Sequence, residues 1–274
     1  MKFKDLPKKA VDKVKNFRLT RRVFAYPYIL FLLLFVVTPL VIVLVNAFLT
    51  EPEGGKLTIE NFVSLATDGS SLKVLGTSIV VGIVTTLICL LLGYPVAYIL
   101  SRWKSGSVIV LLFILPMWVN FLIRTYALQT IFENIGVTLG MGTVIFGMVY
   151  NFIPFMIMPL HTTISNIDKC YKEAAQDLGA SPVTTFFKST LPLSLPGIIS
   201  GITMVFIPTI SAFAISQLLS NNSIILFGDS INLKFENKLY GVGSVMSLIM
   251  LALVLLSNFF MNKINKGEAA KNLW

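Results

Sequence analysis

Ionisable side chains are scarce in this sequence: Asp, Glu, Lys and Arg make up 13% of its 274 residues, about half the ordinary share of a water-soluble domain. Histidine occurs once, at His161, and cysteine twice, at Cys89 and Cys170. A lone histidine with no Cys or carboxylate at ligand spacing makes no metal site. No paired carboxylates and no nucleophile with its base are visible either, so no catalytic residue, metal or cofactor is expected. No GxxxxGK[ST] segment is present, and the chain therefore lacks a Walker A loop. If ATP drives its action, another polypeptide binds the ATP. Carboxylates are also missing from the middle of the long apolar runs, which argues against a proton-relay transporter.

Apolar residues take the place of charge. They form 55% of the chain, and the mean hydropathy is +0.81. Six stretches contain no Asp, Glu, Lys or Arg: Val23–Thr50, Val74–Ser101, Ser105–Ile123, Asn134–Ile167, Ser189–Gly228 and Leu239–Asn262. At about 1.5 Å per helical residue, roughly 20 apolar residues cross a hydrocarbon core about 30 Å thick. The expected fold is therefore an all-α membrane protein with six transmembrane helices. The first stretch is too long for the apolar region of a signal peptide and no small-residue cleavage pattern follows it, so it reads as a retained span.

The net charge of +9 is unevenly placed. Of the 22 Lys and Arg, nine lie in residues 1–22, two at 102 and 104, three between 169 and 188, and three after 262, all on one side of six spans. The positive-inside rule then puts both termini in the cytoplasm of a cell membrane. The excess attracts anionic lipid and is no sign of nucleic acid. The expected division is a basic segment at 1–22, a six-span domain at 23–262 with a cytoplasmic loop at 168–192, and a tail at 263–274. Leu6, Ala10, Val14 and Phe17 suit either a helix lying on the membrane surface or a disordered basic tail. Cys89, in a span, and Cys170, in the loop, cannot meet as a disulfide.

The loop carries the most information. Asp168 is a plausible N-cap, and Tyr171, Ala174, Ala175 and Leu178 form one apolar stripe with small residues at its middle. Gly179 suits the left-handed position that ends a helix. Ser181 and Pro182 then cap and start a second helix, with Val183, Phe186, Phe187 and Thr190 on its apolar side and Pro192 closing it. Two short helices meeting at a glycine make a knob outside the membrane, of a kind that transmits force only when docked into a partner.

Glu173-Ala174-Ala175, three residues, Gly179, nine residues, Ser189, one further position and Leu191-Pro192 resemble the EAA loop of ABC importer permeases, EAA-x3-G-x9-I-x-L-P; Ser189 stands at the isoleucine position. Leu92-Gly93-Tyr94-Pro95, Pro116-Met117-Trp118-Val119-Asn120, Ile123-Arg124-Thr125-Tyr126-Ala127, Pro154-Phe155-Met156, Met158-Pro159-Leu160 and Leu195-Pro196-Gly197-Ile198 resemble the spermidine/putrescine type of these permeases. The resemblance implies a type I importer permease fold and ATPase coupling through Glu173, Ala174, Ala175, Gly179, Leu191 and Pro192. It also implies an assembly with an ABC ATPase dimer, which binds the ATP, a sister permease and an extracytoplasmic polyamine-binding protein.

A polyamine is a flexible polycation, so a lining of aromatic faces and amide oxygens would offset its dehydration without trapping it. Trp118, Asn120 and Tyr126 on span three, with Tyr150 and Asn151 on span four, are the expected pathway residues; the alternative is an interfacial aromatic belt. Trp118 and Tyr126, eight apart, should share a helix face. Glu133, Asp229 and Glu236 would either draw cations to an outer mouth or simply be solvated, and Arg124 should snorkel toward headgroups. Ile59, Phe62, Val63 and Ala66 mark an outer surface helix. Two other readings stay open: a permease for another small solute, such as a phosphonate, sulfate or metal chelate, and a passive channel or membrane sensor.

Overall fold

The computed structural model describes residues 25–50 and 55–271. The 1–22 segment, with its expected surface helix, lies outside them. Among the described residues regular structure is helical apart from one isolated bridge between Leu49 and Leu57. In chain order the helices are α1 (Tyr26–Ala47), α2 (Glu60–Thr67), α3 (Gly69–Leu100), α4 (Gly106–Ile114), α5 (Phe121–Asn134), α6 (Met141–Ser165), α7 (Lys169–Asp177), α8 (Pro182–Leu193), α9 (Leu195–Ser211), α10 (Ile215–Leu219), α11 (Phe227–Glu236) and α12 (Tyr240–Lys271). Four of them are long and apolar enough to cross a membrane, and two bent pairs bring the number to six if each pair is one span.

The centre is built from α3, α6 and α9, which pack on one another. Lipid offers no hydrophobic force to bring helices together, so close approach through small residues and the resulting dispersion contacts must do it. A Cβ on Gly93 would lie 3.0 Å from Met156 Cγ, and one on Gly201 would lie 2.5 Å from Met156 Sδ. The two glycines thus let α3 and α9 close on a methionine that is wholly buried, in a cluster with Cys89, Ala97, Ile157, Leu160 and Val205. By contrast, none of the apolar window of α1 is buried, and this helix packs against α12 through Thr38–Ala47. Pro39 has no N–H to donate, and the coil widens into a π turn at Leu33–Val37 where Thr38 Oγ1 donates to Leu33 O at 2.9 Å. α12 runs on past residue 262, and its apolar part ends at Ile264.

Asp68 starts α3. It accepts from Ser70 N at 3.0 Å, Ser70 Oγ at 2.6 Å and Ser71 Oγ at 2.7 Å, and these bonds hold its carboxyl down at about 2. Because the folded value lies below the unfolded one, the cap contributes fully above about pH 4 and is lost as the pH falls toward 2. Amide protection at Ser70 to Leu72 is expected to drop across that window and to stay level in Asp68→Asn, which caps without titrating; a hydrogen-exchange pH series checks it.

Three local expectations change. Span three is not one helix over 105–123: α4 tightens into a 3₁₀ turn at Leu115–Trp118, Val119 and Asn120 are extended, and α5 leaves at 88° to the first half. Pro116 withholds an N–H, and Asn120 Oδ1 accepts from Leu122 N at 2.8 Å, capping a new helix. The second loop helix runs to Leu193, one residue past the expected close at Pro192, and the rest of span five follows across a 61° bend. A π turn at Phe186–Thr190 widens the coil ahead of the proline, and the helix continues to Leu193. In α2, Phe62 and Leu65 pack inward while Ile59 and Val63 are exposed, because Asn61 Nδ2 donates to Ala47 O and Leu49 O and sets the rotation.

Candidate functional site

The loop folds as two capped helices. Asp168 accepts from Cys170 N at 3.0 Å, a bond that holds its carboxyl below the usual range and starts α7. At the other end Gly179 has φ +81°, Gly179 N donates to Gln176 O at 2.8 Å, and Ala180 N donates to Ala175 O at 3.0 Å. These paired bonds define a Schellman cap, which requires the left-handed backbone. Ser181 Oγ then accepts from Thr184 N at 3.2 Å and Pro182 opens α8.

The knob has an uncovered side and an anchored side. Tyr171, Leu178, Val183 and Phe187 are exposed, Leu178 at 90%. Glu173, Ala174 and Gly179 are exposed beside them, with Ala175, Ser189 and Leu191 half-buried and Pro192 exposed. Phe186 is half-buried and packs edge-on to the exposed Phe187 at 5.0 Å. Its ring meets Tyr94 and Tyr98 of α3 edge-on at 5.8 and 5.2 Å, and Tyr94 Oη lies 2.9 Å from Ser194 Oγ at the α8/α9 bend. The Arg102 guanidinium stacks on Tyr98 at 4.2 Å. Sequence reasoning missed this anchor, although two tyrosines four apart on span two were its visible signal.

The five expected pathway residues do not converge. Trp118, at the end of the 3₁₀ turn, is 83% exposed, and Tyr126 on α5 is exposed as well. The 88° turn separates them, so they share no helix face as their spacing suggested. Asn120 spends its oxygen on the α5 cap. Asn151 is buried within the bundle, its Nδ2 donating to Gly147 O at 2.9 Å. Tyr150, partly exposed, faces Arg124, whose guanidinium carbon is 5.8 Å from the ring centroid.

Arg124, half-buried, helps to line an apolar cavity of about 340 Å³ with Phe113, Pro116, Tyr150 and Pro154. Tyr126, two residues on, is turned about 160° away around α5. Among the expected outer carboxylates, Glu133 and Glu236 are exposed and bonded to Gln129 and Asn232, whereas Asp229 is fully buried. Asp229 accepts from Ala214 N at 2.7 Å, Leu226 N at 2.9 Å and Ser216 Oγ, joining α10 to α11. It is neither solvated nor placed to meet a cation.

Residues 90–268 match the family described as Binding-protein-dependent transport system inner membrane component. The chain is 35% identical over 229 residues to the spermidine/putrescine transport system permease protein PotB of Escherichia coli K12, covering 75% of this chain and 83% of that protein. It is 33% identical over 259 residues to PotB of Haemophilus influenzae, covering 86% and 90%. Among solved structures, a chain of a bacterial ABC transporter involved in the import of the acidic polysaccharide alginate superposes with TM-score 0.68 at 14% identity, over 95% of this chain and 99% of that one. A chain of the MetNI methionine ABC transporter superposes with TM-score 0.58 at 18% identity, over 72% and 95%. These two likenesses concern the fold. The chain belongs to the binding-protein-dependent transport system inner membrane component family, as a multi-pass membrane protein similar to the PotB permeases.

Proposed function

We propose that this chain is one of two permease subunits of an ATP-driven ABC importer of spermidine and putrescine. Its termini lie in the cytoplasm, and an external binding protein delivers substrate to the outer side. Segment 168–192 docks on a separate ATPase dimer through Glu173, Ala174, Ala175, Gly179, Leu191 and Pro192. The observation that carries the reading is the knob itself. Its apolar side chains stand uncovered outside the bundle, while Phe186 is wedged against Tyr94 and Tyr98 of α3. A push on the knob is therefore handed to a spanning helix by direct contact. Identity of 33–35% to spermidine/putrescine permeases supports the substrate class.

In this reading Trp118 and Tyr126 present aromatic faces to the ammonium groups, and the break after Trp118 leaves main-chain carbonyls free to accept from them. Tyr150 and Asn151 support the wall, Asn151 from inside the helix packing. One cation–π contact is worth about 0.5–2 kcal/mol, weak enough to release the substrate. In proteoliposomes carrying the complete complex, Trp118→Ala is expected to raise the KM for labelled spermidine several-fold while amounts of complex stay level. Wild-type uptake should be competed by putrescine and not by sulfate or a phosphonate. An unchanged KM would make Trp118 scaffold, and competition by an oxyanion would remove the polyamine assignment.

A further inference from the structure

Resting on the presence of a second permease, we propose that Arg124 is the membrane-embedded half of an intersubunit ion pair, whose other half is an Asp or Glu in a span of that second permease. The Arg124 side chain lines an apolar cavity, its Nε is buried, and that nitrogen makes no hydrogen bond. Its one described aromatic contact is the Tyr150 ring. The elements walling the cavity, α4 and α6, contain no Asp or Glu, and Glu133 on α5 is nine residues further along and bonded to Gln129. Among the described residues no neutralising group stands at this place. A guanidinium left bare in hydrocarbon is strongly unfavourable, and pairing it satisfies both the charge and the orphaned donor.

Depth selects the kind of partner. Tyr150 is nine residues from one end of the 25-residue α6 and fifteen from the other. Along the helix those separations are about 14 and 22 Å, so Arg124 sits inside a hydrocarbon core about 30 Å thick whichever way the chain is oriented. Lipid phosphates lie outside that core, as do an ATPase and a soluble binding protein. A polycationic substrate is repelled. A carboxylate on another spanning subunit meets the requirement, and the route to it is open: Ala127 and Ile131, three and seven residues after Arg124 and on the same side of α5, are exposed. The pair would fix the register of the two permeases at mid-membrane and keep a bare positive charge away from a route taken by cations.

The test is made on the complete complex, purified from membranes through a tag on the ATPase, with recovery of the second permease measured. Arg124→Glu is expected to lower that recovery at least tenfold. One Asp→Lys or Glu→Lys change in a span of the second permease should restore it. Arg124→Gln, which removes charge without adding the opposite sign, should give an intermediate loss and guards against misfolding of Arg124→Glu. Wild-type recovery in both Arg124 variants would overturn the pair, as would failure of every acid-to-lysine change to restore Arg124→Glu. Normal assembly of Arg124→Gln with loss of bound anionic phospholipid would assign the cavity to lipid and overturn it equally. If the wild-type chain itself recovers no second permease, the importer reading falls, and the pair with it.

Discussion

Gly179→Val is expected to cut ATP-driven uptake at least tenfold while leaving membrane insertion and the amount of protein unchanged. Gly179 holds φ +81° in the cap that sets the angle between the two short helices of the knob, and a Cβ there would meet nothing within 4 Å. The penalty is thus conformational rather than steric against neighbours. An L residue in the left-handed region costs about 1–2 kcal/mol, more with a β-branch. A shift of that size in a docked element corresponds to a factor of roughly 5–30 in its population. Gly179→Asn, which tolerates left-handed backbone, should retain most uptake, and Gly179→Ala should fall between the two. Labelled spermidine uptake by vesicles carrying the three variants checks the order, and full activity in Gly179→Val would remove the cap from the coupling scheme.

Asp229→Asn is expected to destabilise the protein by about 3 kcal/mol, since a buried carboxylate with three donors is replaced by an amide that turns an N–H₂ toward at least one of them. The donors come from Ala214, Ser216 and Leu226, and Ala214 itself has φ 67°, so the carboxylate also holds a strained turn. In detergent, the temperature at which half the protein is lost should fall by about 5–10 °C. A cation-attracting role predicts the opposite pattern, a raised KM with unchanged melting. That pattern would show that the buried network is not what Asp229 serves.

Much of the 168–192 loop was legible because its signals are local. Asp168, Gly179, Ser181 and Pro182 each act through bonds to residues at most five positions away, and such bonds form wherever the loop is placed. The spans were legible for a related reason: crossing hydrocarbon demands a long uncharged stretch, and that demand is written in composition. One local reading failed where a breaker competes with the apolar pattern. Pro116 and the Asn120 cap divide span three, and hydropathy does not register a right-angle turn between two apolar segments.

The assignments that depended on neighbours distant in sequence were not legible. Nothing in the pattern around Asp229 separates a solvated acid from a buried one, because two of its three donors, Ala214 N and Ser216 Oγ, lie 15 and 13 residues away. Arg124, outside the charge-free runs, reads as an outer-face charge until the 88° bend brings α5 back over Tyr150. Phe186 and Phe187 are adjacent in a helix, and only the position of α3 decides which is wedged and which is offered to a partner.

By itself, then, the sequence determined the class, the apolar stretches and the two-helix knob, since local backbone chemistry and bilayer thickness leave little choice. The tertiary structure decided which polar groups are satisfied, which phenylalanine of the knob is anchored, and that Arg124 faces Tyr150 beside an apolar cavity. Those outcomes follow from the packing of distant segments, which no local periodicity encodes.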